Sequence, residues 1–302
     1  MLDIVMRAAS FIAIIVMGYL LKRIGMFKQE DFGVLSKIAI RITLPCAIIV
    51  SFNGKSIDPA LLSLPLIAVA CGALYVLLGY LSGLKMTRDQ QAFGMLNLAG
   101  YNIGNFTIPF AQSFLGPAAV IAISIFDIGN AMMCLGGAFS LACMVKDGSR
   151  FSVMRIVRAL LRSVPFVVYV IVLSMSLLHI KTPGFVLSVA EIGSSANAFA
   201  AMLMIGVGFK LEAKREQLMT ILRIVSIRYA TAIVLAAIFY FVLPFALEIR
   251  QTLVILAFAP VGAAVPGFTG EMGGDVGLSS AINSICMVIS ITVIVSLLLV
   301  ML

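Results

Sequence analysis

The chain has 302 residues, 62% of them hydrophobic and 11% charged, with a mean hydropathy of +1.15 and a net charge of +8. Soluble domains carry about 25% charged residues, so a water-soluble fold is excluded and an integral membrane protein is indicated. Apolar runs reach roughly 18–25 residues, the length that takes a helix across about 30 Å of hydrocarbon. The ten-residue alternation of a membrane β-barrel is missing, which leaves an all-α polytopic class.

In chain order, hydropathy and loop signals predict ten spans, near 4–21, 34–52, 60–83, 92–114, 118–145, 163–180, 185–209, 222–247, 251–271 and 277–301. The first run is followed by Lys22 and Arg23 and lacks a small-residue cleavage site, so it reads as a retained helix rather than a signal peptide. Loops after the first, third, fifth and seventh spans hold sixteen Lys and Arg, counting Arg223 and Arg228. The opposite side holds four, namely Arg7, Lys55, Lys181 and Arg250. This asymmetry predicts that both termini lie outside the cytoplasm. It also explains the basic charge without a nucleic-acid partner, because there is no basic tail, aromatic-interleaved patch or zinc-type spacing.

The longest inter-span segment, 146–162, separates a five-span half at 1–145 from a second at 163–302. Five spans per half require two repeats of opposite orientation, that is, inverted repeats. "FGVLS" (Phe32–Ser36) and "GFVLS" (Gly184–Ser188) open corresponding spans, and Pro109 and Pro260 stand half a chain apart.

The fourth and ninth spans are interrupted. The fourth contains "GYNIGNFTIPF" (Gly100–Phe110), and the ninth contains "FAPVGAAVPGFTGEMGG" (Phe258–Gly274). Proline lacks the amide hydrogen a helix needs, and glycine weakens helices further. At membrane depth, freed backbone groups are tolerated only where they are buried in protein or line a wet cavity. Two such breaks, one per half, are expected to meet and to offer half-helix termini to a ligand: positive ends to an anion, negative ends to a cation or proton-binding group. Asn102, Asn105, Thr107, Pro109, Gln112, Pro260 and Pro266 are the expected lining of that substrate site.

Ionisable residues inside spans are costly and mark function. Asp127, in "FDIGNAMM" (Phe126–Met133), is the deepest carboxylate and has Asn130 one turn on. Glu271 ends the broken ninth span. Asp127, Asn130 and Glu271 are therefore the candidate ion-coupling residues, with Asp127 and Glu271 as candidate sodium ligands. Arg41 lies two turns inside the second span and serves either to snorkel to the interface or to grip a carboxylate cargo. His179, the single histidine, reads as a solvated loop residue. The five cysteines read as buried apolar groups. "RFSVMRIVRALLR" (Arg150–Arg162) places Arg155, Arg158 and Arg162 on one helical face, suited to an interface with anionic headgroups.

With "RITLPCAIIVSF" (Arg41–Phe52), "NIGNFTIPF" (Asn102–Phe110) and the proline-rich ninth span, the chain resembles the auxin efflux carrier family of bacterial and plant transporters. That family is related in architecture to bile-acid–sodium symporters and sodium–proton antiporters. The resemblance implies ten spans in inverted halves with the fourth and ninth crossing at their breaks. It further implies a scaffold of spans one, two, six and seven, and a transport domain of spans three to five and eight to ten. Elevator-like movement, an organic-anion cargo and a homodimer are expected on the same ground.

The expected function is secondary active transport of a small organic anion, a mono- or dicarboxylate, across the bacterial inner membrane, coupled to a proton or sodium. The alternative is a passive facilitator using the same cavity. An enzyme is not expected: there is no HExxH, and Met272–Asp275 reads Met-Gly-Gly-Asp in place of Gly-x-Gly-Asp. No nucleotide-binding loop is present, and no cofactor is expected beyond the candidate sodium ion.

Overall fold

The computed structural model describes residues 2–28, 30–210 and 214–301, and among these every regular element is helical. In chain order the helices are α1 (Leu2–Arg23), α2 (Asp31–Ile38), α3 (Leu44–Phe52), α4 (Leu64–Ser82), α5 (Arg88–Leu98), α6 (Ile108–Phe114), α7 (Pro117–Met132) and α8 (Ala138–Asp147). They continue as α9 (Val153–Arg162), α10 (Val164–Leu177), α11 (Gly184–Ser195), α12 (Asn197–Gly208), α13 (Leu218–Phe241), α14 (Leu247–Ala257), α15 (Val265–Glu271) and α16 (Val276–Met301). Six described helices are long and apolar enough to cross a membrane, or up to eight if the bent pairs α9/α10 and α11/α12 each form one span. The expected fourth and ninth spans are each two short helices. A non-helical stretch at 99–102 lies between α5 and the turn leading into α6, and another at 258–264 lies between α14 and α15.

Local chemistry explains where the broken elements begin. Thr87 caps α5 in a reciprocal box with Gln90. Pro266 occupies the first turn of α15, where a missing amide hydrogen costs nothing, whereas Pro109 follows closely on the wide helical turn Ile103–Thr107. Pro260 lies within the second break itself.

Wide helical turns at Ala39–Thr43, Ile103–Thr107 and Met133–Gly137 precede α3, α6 and α8. Such turns are rare in helices and are found frequently at functional sites.

Helix contacts form two sets that also pack on each other. In one, α1 packs on α12, α2 on α12, and α3 on both α10 and α11. In the other, α4 packs on α5 and α7, α5 on α8, α13 and α15, and α14 and α15 on α16. The sets meet where α3 and α10 pack on α7, α12 on α6 and α1 on α16. Without water to exclude, membrane helices depend on close backbone approach at small residues. At the α1–α12 crossing, a β-carbon on Gly18 would lie 2.6 Å from the Leu203 carbonyl oxygen, so only glycine fits.

α9 lies at 79° to α10. Its Ile156 and Leu160 are buried against Ala131, Leu135 and Phe166, while Val153, Met154 and Leu161 are exposed. An exposed apolar face beside Arg155, Arg158 and Arg162 on a helix turned away from a span is the pattern of an interfacial helix.

Candidate functional site

The two interruptions touch. The backbone N–H of Asn102 donates to the carbonyl of Pro260 at 2.9 Å. Gly100 adopts φ +75°, and a β-carbon there would collide with the Cys134 sulfur, so glycine is needed both for the turn and for the approach to the segment after α7.

Buried carbonyls released by a broken helix must find donors, and here they find them within the protein. Leu98, Gly100 and Ala259 receive the guanidinium of Arg228 at 2.7, 2.9 and 2.8 Å. The Phe258 carbonyl accepts from Ser290 Oγ at 2.6 Å. Tyr101 is clamped on both edges of its peptide by one amide: its N–H donates to Asn130 Oδ1, and its carbonyl accepts from Asn130 Nδ2, each at 3.0 Å. The Asn102 carbonyl accepts from the N–H of Thr107 at 3.3 Å.

The side chains of Asn102 and Asn105 are 3% and 6% exposed, yet Asn102 Nδ2 and Asn105 Oδ1 have no hydrogen-bond partner. A buried polar atom without a partner costs roughly 1–3 kcal/mol. Both residues line a cavity of about 160 Å³ at the crossing, together with Asp127, Asn130 and Gly262–Val265 from the second break. The three wide turns each contribute to its wall through Ile40, through Ile103–Asn105, and through Cys134 and Leu135. Asp127, the one carboxylate among the described residues that line this cavity, accepts from Asn130 Nδ2 at 2.7 Å and from the Tyr169 hydroxyl at 2.9 Å.

Of the expected site residues, Asn102, Asn105, Asp127 and Asn130 are therefore brought together. Thr107 is fully buried and does not line the cavity, its hydroxyl turned to the Asn102 carbonyl. Gln112 lies elsewhere: it donates to Ser194 Oγ at 2.8 Å and accepts from Asn197, joining α6 to α11 and α12. Pro109, Pro260 and Pro266 shape the breaks but do not line the cavity. Arg41 is exposed and lines a neighbouring cavity of about 410 Å³ with Lys37 and Arg162, which shares Ile40, Leu135, Ser163 and Pro165 with the crossing cavity. Glu271 is ion-paired to Arg155 at 2.6 Å and lines a third cavity of about 550 Å³ with Arg158 and Arg162. Asp127 and Glu271 thus occupy different cavities. Lys37, Arg41, Arg158 and Arg162 pair with no carboxylate among the described residues.

Arg228 is the residue that sequence reasoning missed. It was counted with the loop cations, but it lies inside α13 and is 1% exposed. The signal was available: a continuous apolar pattern surrounds it, and an arginine in such a helix must be buried among acceptors.

The fold and its interrupted helices define a polytopic membrane protein whose cavity is built on broken helices, an arrangement found in transporters. Residues 3–144 match the family model described as membrane transport protein, in line with the resemblance read from the sequence. A protein described as an uncharacterized transporter from Methanothermobacter thermautotrophicus is 23% identical over 128 residues. That match covers 41% of this chain, and the chain spans only 42% of that relative's length. Both similarities support a transporter.

Proposed function

We propose that this protein is a secondary active transporter of a small organic anion, a mono- or dicarboxylate, that holds its cargo where the two broken helices cross. The observation that carries the reading is the pair of buried, unpartnered amide atoms, Asn102 Nδ2 and Asn105 Oδ1, on the cavity at the crossing. Their desolvation is offset when a polar cargo binds. Four cations that pair with no carboxylate among the described residues, Lys37, Arg41, Arg158 and Arg162, line the adjoining cavities and raise the local concentration of anions at the mouth. The positive-inside rule puts that basic mouth on the cytoplasmic face.

The two groups of contacting helices support a scaffold of α1–α3 and α10–α12 and a moving domain of α4–α8 and α13–α16, in keeping with ten spans, inverted halves and an elevator-like step. Asp127 is the expected coupling group, for a proton or sodium, and Glu271 acts as a partner of Arg155 in the described state. A homodimer in the bacterial inner membrane, with both termini outside the cytoplasm, completes the proposal.

The test is melting of purified protein across a panel of organic anions, followed by uptake in proteoliposomes. A ligand of the native state raises the melting temperature by mass action. A carboxylate that stabilises the wild type but not Asn105→Ala supports the crossing site, and accumulation against a gradient separates active transport from passive facilitation. If only neutral or cationic compounds bind, the anion reading is wrong.

A further inference from the structure

The guanidinium of Arg228 is the only charged group among the described residues that touches both breaks. Leu98 and Gly100 lie at the C-terminal end of α5, and Ala259 lies at the C-terminal end of α14. Helix C-termini carry partial negative charge. Two of them converging inside an apolar domain form a carbonyl-lined hole for a cation, the kind of donor set that unwound transporter helices present to an alkali ion. Arg228 fills that hole from a third element, α13. The Tyr75 and Tyr101 rings lie 5.1 and 5.4 Å from its guanidinium carbon, which adds cation–π attraction. No carboxylate pairs with it among the described residues, so the carbonyls themselves are its counter-charge. Three charge-assisted hydrogen bonds to fixed acceptors are what make such a burial tolerable.

We propose that Arg228 is the built-in occupant of a monovalent-cation site at the crossing, so that the two broken helices assemble without sodium. The protein carries the cation as a side chain, held in place by α13, and the crossing keeps a permanent positive charge. The consequence for coupling rests on the transporter reading: the cavity's remaining carboxylate is Asp127, faced by Tyr169 of α10, by Asn130 and Cys134, and by Tyr101 of the first break. Coupling then falls to a proton at Asp127. The filled cation site itself needs no cargo.

The experiment is thermal unfolding of the full-length chain in nanodiscs at constant ionic strength, in sodium, potassium or choline chloride, for the wild type, Arg228→Ala and Arg228→Lys. The wild type is expected to melt at one temperature in all three salts. Arg228→Ala is expected to melt lower and to regain a few degrees in low-millimolar guanidinium, which refills the vacated carbonyls, while the wild type gains nothing. Guanidinium otherwise lowers stability, so a rise confined to the variant reports a site rather than a solvent effect. Arg228→Lys keeps the charge without the fork and is expected between the two, which keeps the comparison alive if the alanine variant does not fold. A sodium-specific rise in the wild type overturns the proposal. So does a guanidinium response identical in variant and wild type. Melting needs no cargo, so a panel in which no organic anion binds defeats the transport reading and leaves the ion series to decide this one.

Discussion

The Asn102 N–H and the Pro260 carbonyl, 2.9 Å apart, join the two interrupted helices by a direct backbone hydrogen bond. The side chains of Asn102 and Asn105 take no part in that link or in the clamps supplied by Arg228, Asn130 and Ser290. Asn102→Ala and Asn105→Ala are expected to melt within about 1 kcal/mol of the wild type, because each removes a polar atom that lacks a partner. Both are expected to lose the cargo-induced rise in melting temperature. A large loss of stability in the absence of cargo would show that these amides are structural.

Asn130 has the opposite character. Its one amide pairs with both edges of the Tyr101 peptide and with Asp127. Asn130→Ala leaves a buried N–H, a carbonyl and a carboxylate oxygen short of a partner, for a loss of about 2–4 kcal/mol. Chemical unfolding monitored by tryptophan-free near-ultraviolet signals checks this, since the chain has seven tyrosines and no tryptophan.

Asp127→Asn preserves the shape of the side chain and an oxygen to accept from Tyr169 but removes the ionisable group. Uptake into proteoliposomes is expected to lose its response to an imposed pH gradient. Tyr169→Phe, which deletes one donor to the carboxylate, is expected to slow uptake and retain that response. A pH response that survives in Asp127→Asn removes Asp127 from the coupling step.

The basic mouth is expected to act through long-range charge. Arg158→Gln and Arg162→Gln touch exposed side chains that pair with no carboxylate among the described residues, so stability is expected to stay within about 0.5 kcal/mol. The apparent KM for an anion is expected to rise several-fold at low salt and to converge on the wild type at high salt, where screening shortens the field to a few ångströms. A neutral analogue of the same shape serves as the control.

Gly18→Ala tests the α1–α12 crossing. The added methyl meets the Leu203 carbonyl oxygen at 2.6 Å, and an overpacked helix contact costs about 1–3 kcal/mol. A lower melting temperature with unchanged anion affinity is expected, because the crossing lies outside the cavity wall.

Sequence alone determined the membrane class, the all-helical fold and the location of both interruptions. Each is a local property: a run of apolar residues fixes its own length across hydrocarbon, and a proline or glycine withdraws its own hydrogen bond or helix propensity whatever surrounds it. Asn102, Asn105 and Asp127 could be singled out for the same reason, since a polar group in an apolar span is conspicuous without any partner in view. The tertiary structure decided what holds the breaks. Arg228, Ser290 and Asn130 come from α13, α16 and α7 to satisfy carbonyls at Leu98, Phe258 and Tyr101, pairings between residues too far apart in the chain for any periodicity to relate. It likewise separated Gln112 and Glu271 from the cavity by giving them partners in Ser194 and Arg155. A sequence states which groups need a hydrogen bond at membrane depth. Only the packing of helices states which distant side chain supplies it, and so which polar atoms are left over for a ligand.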